Sequence, residues 1–253
     1  MAEEGQKVVL VTGGAGEIGS AICRKFAENG YSVVATYNSN QAKAEKLLAE
    51  LGSGNHRIVQ APTTDAAAVD RLKQFITETC GRLDVLVNNA GITTPVSHDD
   101  LEGLTDEWID KIMQTNFRGS FAMVRATRSL LEKAAELTDT PSLVVNISSI
   151  AGIYGIGSNV AYCASKAALD SMTRSLARVL APKIRMVSVS PGFVEGEYTK
   201  NFDPAFLQNQ RDHTPLGRFA TGDDVASAVF ALASSLTFST GNIITVDGGR
   251  LLK

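Results

Sequence analysis

The sequence predicts an α/β fold in which a parallel sheet of seven strands carries helices on both faces. Three observations predict it. Short, nearly continuous apolar runs recur along the 253 residues and alternate with stretches of helical periodicity, the pattern of strands buried on both faces. A glycine-rich turn joins the first run to the first helical stretch. Gly13, Asn88 to Gly91, Ser149 and Pro191-Gly192 all follow the ends of apolar runs, where open α/β sheets bind their ligands.

Taken in order, Lys7 to Thr12 (KVVLVT) reads as the first strand and runs into GGAGEIG. A helix follows, with Ile18, Ala21, Ile22, Phe26 and Ala27 on one side and Asn29-Gly30 closing it. Tyr31 to Tyr37 is the second strand, Gln41 to Leu51 a helix, His56 to Ala61 the third strand and Asp65 to Cys80 a helix. Asp84 to Gly91 is the fourth strand, and Thr105 to about Leu137 reads as one long helix with Asp106 and Glu107 at the favourable end of its dipole. Ser142 to Ser149 is the fifth strand, followed by the helix of Tyr162, which runs to about Leu180, and a sixth strand at Ile184 to Ser190. Pro191 to Gly222 breaks the rhythm and is expected to be irregular; Asp223 to Ser234 is helical and Asn242 to Val246 is the seventh strand. Such alternation implies right-handed crossovers and a parallel sheet. Nothing reads as a linker, so residues 1–253 are expected to form a single domain with a substrate lid at about 191–222.

Composition narrows the function. The formal net charge is −3 and the Lys and Arg residues are scattered, which argues against nucleic-acid and polybasic membrane partners. No apolar run approaches the ~18 residues of a membrane span, and MAEEGQK is unlike a signal peptide. A cytoplasmic protein is expected. Cys23, Cys80 and Cys163 are widely spaced, which fits free thiols and offers no metal cluster. His56, His98 and His213 lie in unrelated contexts, so Cys163 is read as a packing residue, and no metal site is expected.

The chemistry concentrates between Ser149 and Lys166. Tyr162 and Lys166 are four apart, which on a helix puts them on one face. A phenol with a pKa near 10 is a poor proton donor or acceptor at pH 7, and a neighbouring ammonium favours its phenolate. Ser149, thirteen residues upstream, can place a hydroxyl opposite the phenol. Tyr154 lacks a Lys four residues on and is assigned to the pocket wall. Gly13, Gly16 and Gly19, between strand and helix, are where backbone would approach a pyrophosphate at a helix N-terminus.

Together with Asn88-Asn89-Ala90-Gly91, Asn116, Pro191-Gly192, Thr240-Gly241 and Asp247-Gly248-Gly249, these residues stand in the order of the short-chain dehydrogenase/reductase family, which the chain resembles over essentially its whole length. The resemblance implies a doubly wound Rossmann-type fold with strand order 3-2-1-4-5-6-7 and a nicotinamide dinucleotide cofactor. It implies interconversion of a carbonyl and a secondary alcohol, with Tyr162 as the acid or base, Ser149 polarising the same oxygen and Lys166 also holding the nicotinamide ribose. Asn116 then holds a water that joins Lys166 to solvent. The cofactor contacts implied are Gly13, Gly16, Ile18, Gly19, Asn38, Thr63, Asn89, Ala90, Gly91, Tyr162, Lys166, Pro191, Gly192 and Val194. A homotetramer or dimer is implied too, and Ala164, Ala167, Ala168 and Ser171 permit close helix packing.

Three positions depart from the family pattern: Glu17 stands where the second glycine is usual, Pro62 replaces an acidic or Asn residue, and Gly196 replaces a Thr. Glu17 is expected either to point to solvent or to repel phosphate. The second strand ends in Thr36-Tyr37-Asn38-Ser39, with no Asp to repel a 2′-phosphate and no Arg to bind one; the balance favours NADP(H) over NAD(H). In the lid, Phe193, Tyr198, Phe202, Phe206 and Leu207, with Glu195, Glu197, Lys200 and Arg211, fit an apolar or ring-bearing substrate, anchoring of the loop, or contact with another subunit. Among narrower readings are a 3-oxoacyl-acyl-carrier-protein reductase, for which Arg174 and Arg178 offer basic charge, and a non-catalytic dinucleotide-binding member of the fold.

Overall fold

The structure, a computed structural model, describes residues 5–197, 199 and 202–252. Tyr198 and Lys200 of the expected lid lie outside the described residues. Seven parallel strands form one sheet in the order β3-β2-β1-β4-β5-β6-β7: β1 (Val8–Val11), β2 (Ser32–Tyr37), β3 (Arg57–Gln60), β4 (Val85–Asn88), β5 (Ser142–Ile147), β6 (Ile184–Pro191) and β7 (Ile243–Val246). The expected order is the observed one.

Central strand β1 shows why the chain folds this way. All four of its residues are fully buried, and alternate side chains enter two separate cores. Val9 and Val11 pack with Ile22 and Phe26 of α1 (Glu17–Glu28) and with Val225, Val229 and Leu232 of α9 (Gly222–Ser234). Val8 and Leu10 pack with Leu72 and Ile76 of α3 (Ala66–Thr79), with Met123 and Leu131 of α5 (Ser120–Thr138) and with Leu169 and Met172 of α7 (Val160–Leu180). The remaining helices are α2 (Gln41–Glu50), α4 (Asp106–Met113), α6 (Ala151–Tyr154) and α8 (Pro204–Asp212). No helix among the described residues is long and apolar enough to cross a membrane.

Two expectations need correction. The helix expected over Thr105 to Leu137 is divided: between α4 and α5 the chain widens into a π-type turn at Gln114–Gly119. One extra residue per turn displaces the following ladder, and Asn116 sits within that widened turn. The Pro191 to Gly222 stretch is not uniformly irregular either, since it contains α8. Asp203 caps that helix by accepting a hydrogen bond from Ala205 N, and Pro204 occupies its first turn, a position whose missing N–H costs no helical bond.

Candidate active site

The glycine-rich turn after β1 is held by its neighbours rather than by its own side chains. Gly13 has φ +61°, and a Cβ there would lie 3.1 Å from Ala90 Cα. A Cβ at Gly19 would lie 2.4 Å from Gly13 O, so this glycine lets α1 close onto the turn. Thr12 Oγ1 accepts from the amides of Asn89 and Ala90, and Asn89 Nδ2 donates to Thr12 O and Gly13 O. The loops after β1 and β4 are thereby locked together. α1 starts at Gly16 without a side-chain cap, which leaves first-turn amides available to an anion.

A cleft of about 1700 Å³ opens along the carboxyl ends of the strands, room for a dinucleotide and a substrate together. Of the residues expected to contact a cofactor, Gly13, Gly16, Ile18, Asn38, Thr63, Asn89, Ala90, Gly91, Tyr162, Lys166, Pro191, Gly192 and Val194 line it, as does Ser149. Gly19 and Asn116 stand behind the wall. Gly19 is the packing glycine just described. Asn116 Oδ1 accepts from Ile92 N at 2.8 Å, and its Nδ2 donates to Ile92 O and Ser165 Oγ, each at 3.0 Å.

Tyr162 and Lys166 lie one turn apart on α7, whose N-terminus is capped by Asn159 Oδ1 accepting from Tyr162 N at 2.7 Å. Lys166 is only 5% exposed. Its Nζ donates to Ile147 O at 2.8 Å and lies 5.6 Å from the Tyr162 ring centroid. Burial lowers the ammonium to about 8, with the carboxyl of Asp170 opposing the shift. The Tyr162 phenol, in contrast, is raised above its ordinary value, chiefly by burial and against a hydrogen bond with Ser149. The expectation that the ammonium draws the phenol down is corrected here: desolvation dominates at both groups. Cys163, beside Tyr162, is buried and its thiol is likewise raised by burial, which suits packing rather than nucleophilic work.

Glu17 is exposed, as one of the two expectations had it, and it lines the cleft beside the glycine turn. Its Oε2 accepts from Glu197 N at 3.4 Å, and a Cβ at Gly196 would lie 3.2 Å from its Cγ. The two departures from the family pattern are therefore complementary: the glycine at 196 makes room for the carboxylate at 17. Among the cleft residues that sequence reasoning missed are Lys43 and Arg250. Lys43 lies in the first turn of α2, whose N-cap is Asn40, and a basic residue one turn into that helix is a readable signal. Arg250 belongs to a C-terminal turn that folds back over the cleft, which no local pattern announces.

A family model described as enoyl-(acyl carrier protein) reductase matches residues 13–250. The 3-oxoacyl-[acyl-carrier-protein] reductase FabG of Staphylococcus aureus is 34% identical over 253 residues, covering 97% of this chain and 98% of that protein. A solved short-chain dehydrogenase/reductase of the glucose/ribitol dehydrogenase type from Brucella melitensis superposes with TM-score 0.87 at 29% identity, over 99% of each chain. The chain belongs to the short-chain dehydrogenase/reductase family. RhlG of Pseudomonas aeruginosa, in an active-site complex with NADP, superposes with TM-score 0.89 at 32% identity, over 99% of this chain and 97% of that one. This short-chain dehydrogenase/reductase is accordingly an NAD(P)(H)-dependent oxidoreductase that interconverts a carbonyl and an alcohol.

Proposed function

We propose that the protein transfers hydride with NADP(H) in preference to NAD(H), and that its substrate is a ketone or secondary alcohol with an apolar or ring-bearing body. The observation that carries the reading is the convergence of Ser149, Tyr162 and the buried Lys166 on the cleft bounded by the Gly13 turn. The uncapped amides of α1 fit a pyrophosphate. When bound, the nicotinamide supplies or accepts hydride at the carbonyl carbon.

In the reducing direction Tyr162 gives its proton to the carbonyl oxygen. A phenol kept protonated by burial is prepared for that step. Ser149 donates to the same oxygen and stabilises the charge developing there; its own Oγ is oriented by accepting from Ala151 N at 3.1 Å. Lys166 balances the negative charge left on Tyr162 and relays the proton that restores its phenol. A Cβ at Gly91 would lie 3.3 Å from Asn116 Oδ1 and 3.5 Å from Lys166 Nζ, so the space between these groups is narrow and polar, which supports Asn116 as the support of a relay. Phe193, Phe202 and Phe206 line the substrate end, with Phe193 and Phe202 6.1 Å apart and Phe202 and Phe206 5.5 Å apart, which supports an apolar substrate body.

The NADP preference rests on Lys43. It lines the cleft beside Asn38, Ser39 and Asn40 and pairs with Glu197 at 2.5 Å, both side chains being largely exposed. Exposed pairs contribute little, on the order of 0–1 kcal/mol, so a 2′-phosphate can take the ammonium from Glu197. Titration with NADPH and NADH, followed by reduced-nicotinamide fluorescence, tests this. Lys43→Ala is expected to weaken NADPH roughly tenfold, the order of one charge-assisted hydrogen bond, and to leave NADH unchanged. Equal weakening of both removes Lys43 from 2′-phosphate recognition.

The names of the relatives favour a 3-oxoacyl thioester on a carrier protein as the second reading; Arg174 and Arg178 on α7 are exposed and supply the positive charge such a partner needs. The exposed α7 face of Val160, Ala164, Ala167 and Ser171 supports association with further copies, to be read by light scattering. A cytoplasmic location accords with this chemistry.

A further inference from the structure

At the substrate end of the cleft, Arg250 and Gln210 face the lining formed by Tyr154, Phe206 and Leu251. Arg250 is half-buried, and its NH1 donates to Gln210 O at 2.7 Å and its NH2 to Gln210 Oε1 at 2.5 Å. Among the described residues no carboxylate forms an ion pair with it; the seven pairs found there involve other cations. The nearby Asp247 spends its oxygens on the amides of Gly249 and Leu251. Burial accordingly lowers the basicity of the guanidinium with no acid opposing it.

Arg185 shows what a purely structural arginine looks like in this fold. It donates to three carbonyls, of Leu232, Leu236 and Ser239, around the end of α9, and it does not line the cleft. Arg250 differs on both counts. A guanidinium has five donors, and Gln210 takes one from each of two nitrogens, so three remain uncommitted on a residue that lines the cleft. The strand of chain that carries it is fixed from beneath, because Tyr154 Oη donates to Leu251 O at 2.5 Å. A tethered, half-buried cation beside an apolar pocket is suited to a carboxylate.

We propose that Arg250 is a specificity residue that recognises a carboxylate carried by the ketone substrate, so that this enzyme prefers an apolar oxo acid to the corresponding ester or amide. The inference rests on the oxidoreductase reading for its substrate but not for its test. Calorimetry with 4-phenylbutanoate and 4-phenylbutanamide, which have no ketone to reduce, reads recognition alone, with and without NADP+. Turnover of 4-oxo-4-phenylbutanoate and its methyl ester with NADPH reads it during catalysis.

The acid is expected to bind at least tenfold tighter than the amide. Arg250→Gln should reduce that ratio to about one, with the loss in turnover carried by KM for the acid and not by kcat. Arg250→Lys should restore part of the ratio, and Gln210→Leu, which removes one tether and keeps the cation, should retain it. Equal binding of acid and amide by the unaltered protein, no binding of either, or equal weakening of both in Arg250→Gln overturns the proposal and leaves Arg250 as a strut for α8. An Arg250-dependent preference for the acid without turnover of any ketone sustains the inference and instead sinks the proposed ketone chemistry.

Discussion

Tyr162→Phe is expected to lower kcat/KM for any accepted ketone by roughly 10²- to 10⁴-fold, the usual contribution of a positioned general acid, while NADPH binds with unchanged affinity. The substitution removes one oxygen from a ring that α7 holds in place through Asn159 and Tyr162 N. Shape and packing persist; the proton donor and its hydrogen bond with Ser149 are lost. Titration of the variant by nicotinamide fluorescence beside its steady-state rate separates these effects. Retained activity would move the proton transfer to Tyr154, whose hydroxyl is already committed to Leu251 O.

Lys166→Met carries the second large expected effect, a loss of activity of similar size together with a change in how stability depends on pH. The Lys166 ammonium falls from 10.5 to about 8 on folding. Between those values the unfolded chain binds the additional proton, so this group costs stability below pH 8 and the cost disappears as pH rises through 10.5. Stability of the unaltered protein should therefore rise relative to Lys166→Met by about 2 kcal/mol between pH 7 and 9.5. Denaturant unfolding of both proteins at the two pH values measures this difference. The hydrogen bond lost from Ile147 O offsets the absolute gain at pH 7, which is why the pH-dependent difference is the quantity to read. A constant difference would mean that Lys166 is solvated.

Much of this site was legible in the sequence because its parts obey local rules. The i, i+4 spacing of Tyr162 and Lys166 needs only a helix, and the Gly13 turn needs only a strand before it and a helix after it. The strand order came from resemblance, since apolar runs state burial and not adjacency. The widened turn at Asn116 was illegible: TNFRGS lies between two stretches of helical periodicity that read as one helix, and the hydrogen bonds that tie Asn116 to Ile92 are non-local. α8 was legible in Asp203-Pro204, a cap followed by a first-turn proline, but the surrounding Pro and Gly masked it. The role of Glu17 required knowing that Gly196 lies against it, a contact across most of the chain.

The contrast between β1, fully buried on both sides, and α8, which has no buried residue, divides the cleft into walls with different lifetimes. Opening β1 means unfolding the whole protein, whereas α8 is held by aromatic edges and Arg250 and can detach at a fraction of that free energy. Amide exchange should thus be slowest in β1 and fast in α8, and the residues that perform the chemistry lie on the slow side. Substrates can be admitted and products released by local loosening of the enclosure while the proton-transfer geometry stays assembled through every turnover.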